Sequence, residues 1–145
     1  MTLPDSKFSK LRPGDALPEI AKQLSQEKIN LYAEAVGDFN PIHVDESFAA
    51  QSPFGSTIAH GMLVLAYVSE MMTLAFEENW LSGGKLAVRF KVPARSRDTI
   101  IATGKINSIT EGDNTLDFSC SVSCHNQNRE VIITGEAKVK IPLDS

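Results

Sequence analysis

The chain reads as α+β: a curved antiparallel β-sheet wrapped around one long central α-helix, with residues 1–145 forming a single domain. Three observations predict this. After Gly84, apolar and polar residues alternate with period two through several runs, as in strands covered on one face. Before them, residues 58–79 are apolar almost all round, as in a helix buried on most sides. The chain has 145 residues, 42% of them hydrophobic and 22% charged, enough to build one core.

In chain order, Leu11-Arg12-Pro13-Gly14-Asp15 is a turn, followed by a short strand around Ala16 to Leu24 that Pro18 interrupts. Ser25 is placed as an N-cap, with Leu24 and Ile29 as a hydrophobic staple. Ile29, Tyr32, Ala33 and Val36 recur at helical spacing, and Gly37 stands where a helix-terminating glycine belongs. Asp45 can cap a short helix through Glu46, Phe48 and Ala49, and Pro53 to Ser56 form a loop. A helix from Ile58 to Asn79 would span about 33 Å at about 1.5 Å per residue. Strands follow from Leu86 to Val92, Asp98 to Ile109, Leu116 to Cys124 and Val131 to Ile141. Glu111-Gly112-Asp113-Asn114 forms one turn and His125 to Asn128 another. A sheet with one apolar face and a buried helix are satisfied together when the sheet covers the helix.

Composition also excludes. A net charge of −4 argues against a general nucleic-acid binder. Met1 to Lys10 carries Asp5, Lys7 and Lys10 and lacks the apolar core of a secretory signal. Residues 58–76 are interrupted by His60, Ser69 and Glu70, which favours a buried helix over a membrane span. The chain therefore reads as soluble and cytoplasmic. Cys120 and Cys124 share the face of Leu116, Phe118 and Val122 and read as core thiols. Their spacing along one strand is too long for an easy disulfide, and nothing completes a zinc site.

The chemistry concentrates in Gly37-Asp38-Phe39-Asn40-Pro41-Ile42-His43. Asn-Pro initiates turns, so this segment is an irregular loop in which Asp38 and His43 can face one small volume. A carboxylate and an imidazole in one pocket can exchange protons near neutral pH. The alternative is an Asx-turn beside a structural histidine. His60 reads as packing or hydrogen-bonding near the helix start, and His125 as exposed beside its turn. Ser69 could bond back to the carbonyl four residues earlier.

Residues 32–49, Y-A-E-A-V-G-D-F-N-P-I-H-V-D-E-S-F-A, resemble the hydratase-2 signature of the MaoC-like dehydratases, a family that includes the (R)-specific enoyl-CoA hydratases. Ile58-Ala59-His60-Gly61-Met62-Leu63 is similar to the family's second landmark, and Arg89 to Pro93 and Gly135-Glu136-Ala137 also match. The resemblance covers nearly the whole chain and implies a hotdog fold. It implies that Asp38 and His43 are the catalytic pair holding one water, and that the Gly61 N–H is the oxyanion donor to a thioester oxygen. Ser69 and Asn40 would orient the site. Val36, where relatives often carry a small hydroxyl residue, and Arg97, where a glycine often precedes the aspartate, depart from the pattern.

The expected activity is reversible hydration of trans-2-enoyl-CoA to (R)-3-hydroxyacyl-CoA, without a metal or other cofactor, coenzyme A being part of the substrate. Arg89, Lys91, Arg95 and Arg97, with Lys85, form a basic cluster that is either a solvated edge or a site for coenzyme A phosphates. A homodimer is implied by the resemblance, and the sheet would leave an open edge. The alternatives are a dehydratase acting on acyl carrier protein thioesters and a non-catalytic thioester-binding subunit of a hotdog complex. Retention of both Asp38 and His43 favours an enzyme.

Overall fold

Residues 8–143 are described by a computed structural model; most of the charged stretch Met1 to Lys10 lies outside them. Five strands, β1 (Ile20–Gln23), β2 (Lys85–Phe90), β3 (Thr99–Glu111), β4 (Thr115–His125) and β5 (Val131–Pro142), make one antiparallel sheet in the order β1-β3-β4-β5-β2. The period-two reading holds closely in β4, where Leu116, Phe118, Cys120, Val122 and Cys124 are buried and the residues between them are half-buried. Both cysteines are free, and burial pushes their thiols up, Cys120 to about 11 and Cys124 to about 12. His125 is half-buried rather than exposed, because the strand continues through it and pairs it with Ile101 and Val131.

The helices are α1 (Gln26–Val36), α2 (Pro41–Val44), α3 (Glu46–Ala50), α4 (Gly61–Phe76) and α5 (Glu78–Gly83). The Ser25 side chain accepts Lys28 N–H at the start of α1, and Gly37 closes it at φ 75°, a left-handed conformation that glycine adopts without a Cβ clash. The short strand is only β1, because Pro18 cannot donate to a ladder; Ala16 makes a single bridge to Lys105.

The central helix α4 is shorter than the apolar run suggested. Residues 57–59 are extended beside residues 94–96, with Ala59 N–H donating to Ala94 O (2.7 Å) and Ser96 N–H to Thr57 O (3.2 Å). At the other end Glu77 takes φ 56° and breaks the helix. Nor is α4 buried on most sides. Val64, Val68, Met71, Met72 and Phe76 form its buried face against the sheet, while Met62, Ala66, Glu70 and Leu74 make an exposed stripe at four-residue spacing. No helix among the described residues is long and apolar enough to cross a membrane.

Candidate active site

Three segments meet at the N-terminal end of α4. The first is the end of α1. Gly37 N–H and Asp38 N–H both donate to Ala33 O, at 2.8 and 3.1 Å, which fixes where the Asp38 backbone leaves the helix. Asp38 Oδ1 accepts Asn40 N–H at 3.2 Å and Asn40 Oδ1 accepts Ile42 N–H at 3.2 Å, two successive side-chain turns. Residues 41–44 are therefore not an irregular loop. With Pro41 at its first position and Asn40 as its cap, the segment is the one-turn helix α2, and His43 projects from it. The Asx-turn reading and the shared-pocket reading thus describe the same residues, since Asp38 turns the chain and also stands beside His43.

The second segment is residues 57–60. Ile58 N–H donates to Ile42 O at 3.2 Å, and His43 Nδ1 lies 2.8 Å from Ile58 O. A carbonyl only accepts, so Nδ1 carries the proton of that bond. In the neutral ring Nε2 is then left bare, the nitrogen able to take a proton from water. Gln26 of α1 ties the arrangement together. Its Nε2 donates to His43 O at 2.7 Å, and its Oε1 accepts the buried Thr57 hydroxyl at 2.5 Å.

The third segment is the start of α4. His60 caps it through its backbone, no side chain does so, and the first N–H groups, Gly61's among them, have no intrahelical acceptor. They lie at the positive end of the helix. Gly61 and His43 line one cavity of about 300 Å³ whose walls include Ile58, Val64, Phe90 and Ala94. Asp38, His43 and His60 each bring a ligand-type atom to within 4.8 Å of the others. The two rings stack face to face, centroids 3.8 Å apart and planes 22° apart, so their in-plane lone pairs run side by side rather than converging as a tetrahedral ion requires.

His43 and Gly61 thus share one cavity and Asp38 stands beside His43, while Asn40 spends its side chain on capping α2 and borders a different depression, with Ile42 and Phe48. Ser69 is engaged elsewhere: its hydroxyl accepts Trp80 Nε1–H at 2.9 Å and pins α5 against α4. Its carbonyl, in turn, accepts the Thr73 hydroxyl. The basic residues do not share one depression. Lys91 lines the cavity that holds His43 and Gly61. Arg89 faces a shallow depression with Ser121 and Glu136. Arg95 and Arg97 border another with Glu46 and Asp98, and the Arg95 guanidinium is bonded to Phe54 O. Asp98, after the unmatched Arg97, is buried and structural, accepting Arg95 N–H and Gln127 Nε2–H, both at 2.9 Å. The sequence reading missed Gln26 and Thr57, whose spacing in the chain carries no motif; it read His60 as packing or hydrogen-bonding near the helix start, and the ring does both, against His43 and to Asp38 O.

Residues 10–128 match the MaoC like domain. Among relatives, an (R)-specific enoyl-CoA hydratase from Rhodospirillum rubrum is 30% identical over 137 residues, covering 93% of this chain and 91% of that one. A 3-hydroxyacyl-thioester dehydratase Z from Mycobacterium tuberculosis is 34% identical over 105 residues, 69% of this chain and 70% of that one. The solved structure of an (R)-hydratase from A. caviae superposes with a TM-score of 0.78 at 26% identity, covering 92% of this chain and 98% of that one. The sheet and its central helix are accordingly a hotdog fold, and the chain belongs to the MaoC-like domain family.

Proposed function

We propose that this chain is a hydro-lyase that adds water reversibly across the double bond of a trans-2-enoyl-CoA to give the (R)-3-hydroxyacyl-CoA. At the coarser level, hydration or dehydration of enoyl-CoA or 3-hydroxyacyl thioesters is supported by the family and by the relatives named above. One observation supports the Asp38–His43 pair as its catalytic groups. Asp38 and His43 present polar atoms within 4.8 Å of each other, and one water making two hydrogen bonds of about 2.8 Å can bridge up to about 5.6 Å.

The water gives its oxygen to C3 as its proton passes to the bare Nε2 of His43 or to the Asp38 carboxylate. A proton delivered by the same pair reaches C2. Between these events negative charge gathers on the thioester oxygen, and the Gly61 N–H, at the positive end of α4, is the donor in this reading that receives it. The bond formed is C3–O, the bond lost is the C2–C3 π bond, and dehydration retraces the path. Lys91, at the wall of the cavity, is the basic residue best placed to meet a coenzyme A phosphate. The outer edges of β1 and β2, unpaired among the described residues, with Phe90, Val92 and Met62 exposed, suit pairing with a second copy of this chain.

The test is loss of enoyl-thioester absorbance with crotonyl-CoA for wild type and Asp38→Asn, followed by chiral analysis of the hydrolysed product. Loss in the wild type alone, with the (R) product, supports the reading. Equal rates in the two proteins, or an (S) product, would refute it.

A further inference from the structure

His60 is outside the set Asp38, His43 and Gly61, yet it touches all three. Its Nε2–H donates to Asp38 O at 3.0 Å. Its ring stacks on His43 with centroids 3.8 Å apart, and Tyr32 tilts against its other surroundings at 4.8 Å. Its own carbonyl carbon is bonded to the Gly61 nitrogen, and its carbonyl oxygen accepts Leu63 N–H at 3.0 Å to begin α4.

We propose that His60 is a positioning residue that sets the Asp38–His43 pair and the Gly61 N–H in one geometry. The inference rests on the hydro-lyase reading above. The peptide that carries the Gly61 N–H is the one joining it to His60, so whatever fixes His60 fixes the direction of that donor. The side chain is held by a directed bond at one nitrogen and by a stack on one face, and both contacts are to the dyad. Asp38 is then gripped on both sides, its N–H by Ala33 O and its C=O by His60.

The remaining ring nitrogen gives the second argument. His60 is 4% exposed, and its Nδ1 is buried without a hydrogen-bond partner among the described residues. Buried polar atoms are normally satisfied, so a histidine serving only to fill space is a poor choice here, and a phenylalanine would fill it without an orphan. The Nε2–H to Asp38 O bond is what a hydrocarbon cannot supply. Displacements of about 1 Å between catalytic groups can cost about 10² in rate, the scale on which this contact operates.

Two variants separate the contacts. His60→Phe keeps a ring against His43 and removes the donor, while His60→Gln keeps a donor and removes the ring. Initial rates with crotonyl-CoA are measured for both beside wild type and Asp38→Asn, with thermal melts of each. Positioning predicts that folded His60→Phe loses ~10- to 100-fold in kcat at nearly constant KM, and that His60→Gln regains part of the loss. Wild-type kcat in folded His60→Phe overturns the proposal, as does a loss matched by the unfolded fraction. If His60→Phe does not fold, His60→Gln decides: an intermediate kcat at constant KM supports positioning, and wild-type kcat overturns it. Failure of the underlying reading looks different, with wild type and Asp38→Asn equal, and the proposal falls with it.

Discussion

Gly61→Ala tests the proposed oxyanion donor apart from the helix that carries it. A Cβ built at Gly61 would stand 3.0, 3.3 and 3.4 Å from Cε1, Cδ1 and Cζ of Phe90. Those are ring atoms of a side chain 53% exposed at the end of edge strand β2, so the ring can yield by the few tenths of an ångström needed. Alanine is favoured over glycine in a helix by up to about 1 kcal/mol, less in the first turn, and the tight ring contact offsets part of that. Folding stability should change by less than about 1 kcal/mol, or by about 4 °C or less in Tm. The rate should respond far more. A thioester oxygen must come within about 2.7–3.1 Å of the N–H, and the new methyl meets Phe90, which lines the cavity shared with His43. Loss of one such donor costs ~10²–10³ in kcat. The assay pairs crotonyl-CoA hydration with a thermal melt. An unchanged melt with kcat within about twofold of wild type would remove Gly61 from the mechanism. Recovery of the rate in Gly61→Ala/Phe90→Ala would move the fault from the substrate's path to the displaced ring.

Asp38→Asn should abolish turnover with stability changed by no more than about 0.5 kcal/mol, because Asp38 is exposed and asparagine can still accept Asn40 N–H; parallel rate and melt measurements check this. Gln26→Ala orphans His43 O and the buried Thr57 hydroxyl and should cost about 2 kcal/mol in denaturant unfolding together with a lower kcat. Unchanged stability would deny Gln26 its tie. Ser69→Ala releases the Trp80 indole and should cost about 1 kcal/mol with kcat near wild type; a large fall in kcat at full stability would instead return Ser69 to the site. The raised thiols of Cys120 and Cys124 make stability pH-dependent on the alkaline side. Unfolding returns them from about 11 and about 12 toward 9.0, so the unfolded chain binds fewer protons above about pH 9. Their contribution is complete below that pH and falls as pH rises toward 12, and Cys120→Ala/Cys124→Ala should flatten the decline in unfolding free energy between pH 8 and 10.5.

Sheet and helix were legible in the sequence because burial writes a period. β4 alternates residue by residue, and α1 carries its cap, its stripe and its closing glycine in the right order. The ends of α4 were not legible. Ile58 and Ala59 are as apolar as the residues that follow, and they are extended because residues 94–96 offer residues 57–59 a backbone partner from another part of the chain. The break at Glu77 is set by a backbone angle that this residue type does not advertise. The exposed stripe of Met62, Ala66 and Leu74 misled in the same way, since apolar residues do not say which of them the sheet reaches.

The site divides along a similar line. Asp38, His43 and Gly61 could be named from the sequence because the motif spells out their side chains or the lack of one. What aims them is mostly main chain: Ile58 O orients His43, Ala33 O holds the Asp38 N–H, and Asp38 O in turn holds His60. Any residue type supplies a carbonyl, so these contacts leave no compositional trace. Only the side-chain donors that reach for main-chain carbonyls could have been noticed: His43 and His60 for two of these, and Gln26 for His43 O. Of the three, His43 and His60 stood in stretches that resemble the family's landmarks, His60 read there as packing or hydrogen-bonding near the helix start, while Gln26 stood in none. A chain that holds its reactive groups by backbone acceptors can vary most neighbouring side chains, and the residues it cannot vary freely are the few polar donors that link one segment to the next. Gln26 and His60 are therefore the substitutions at which a loss of rate should exceed what the fold alone loses.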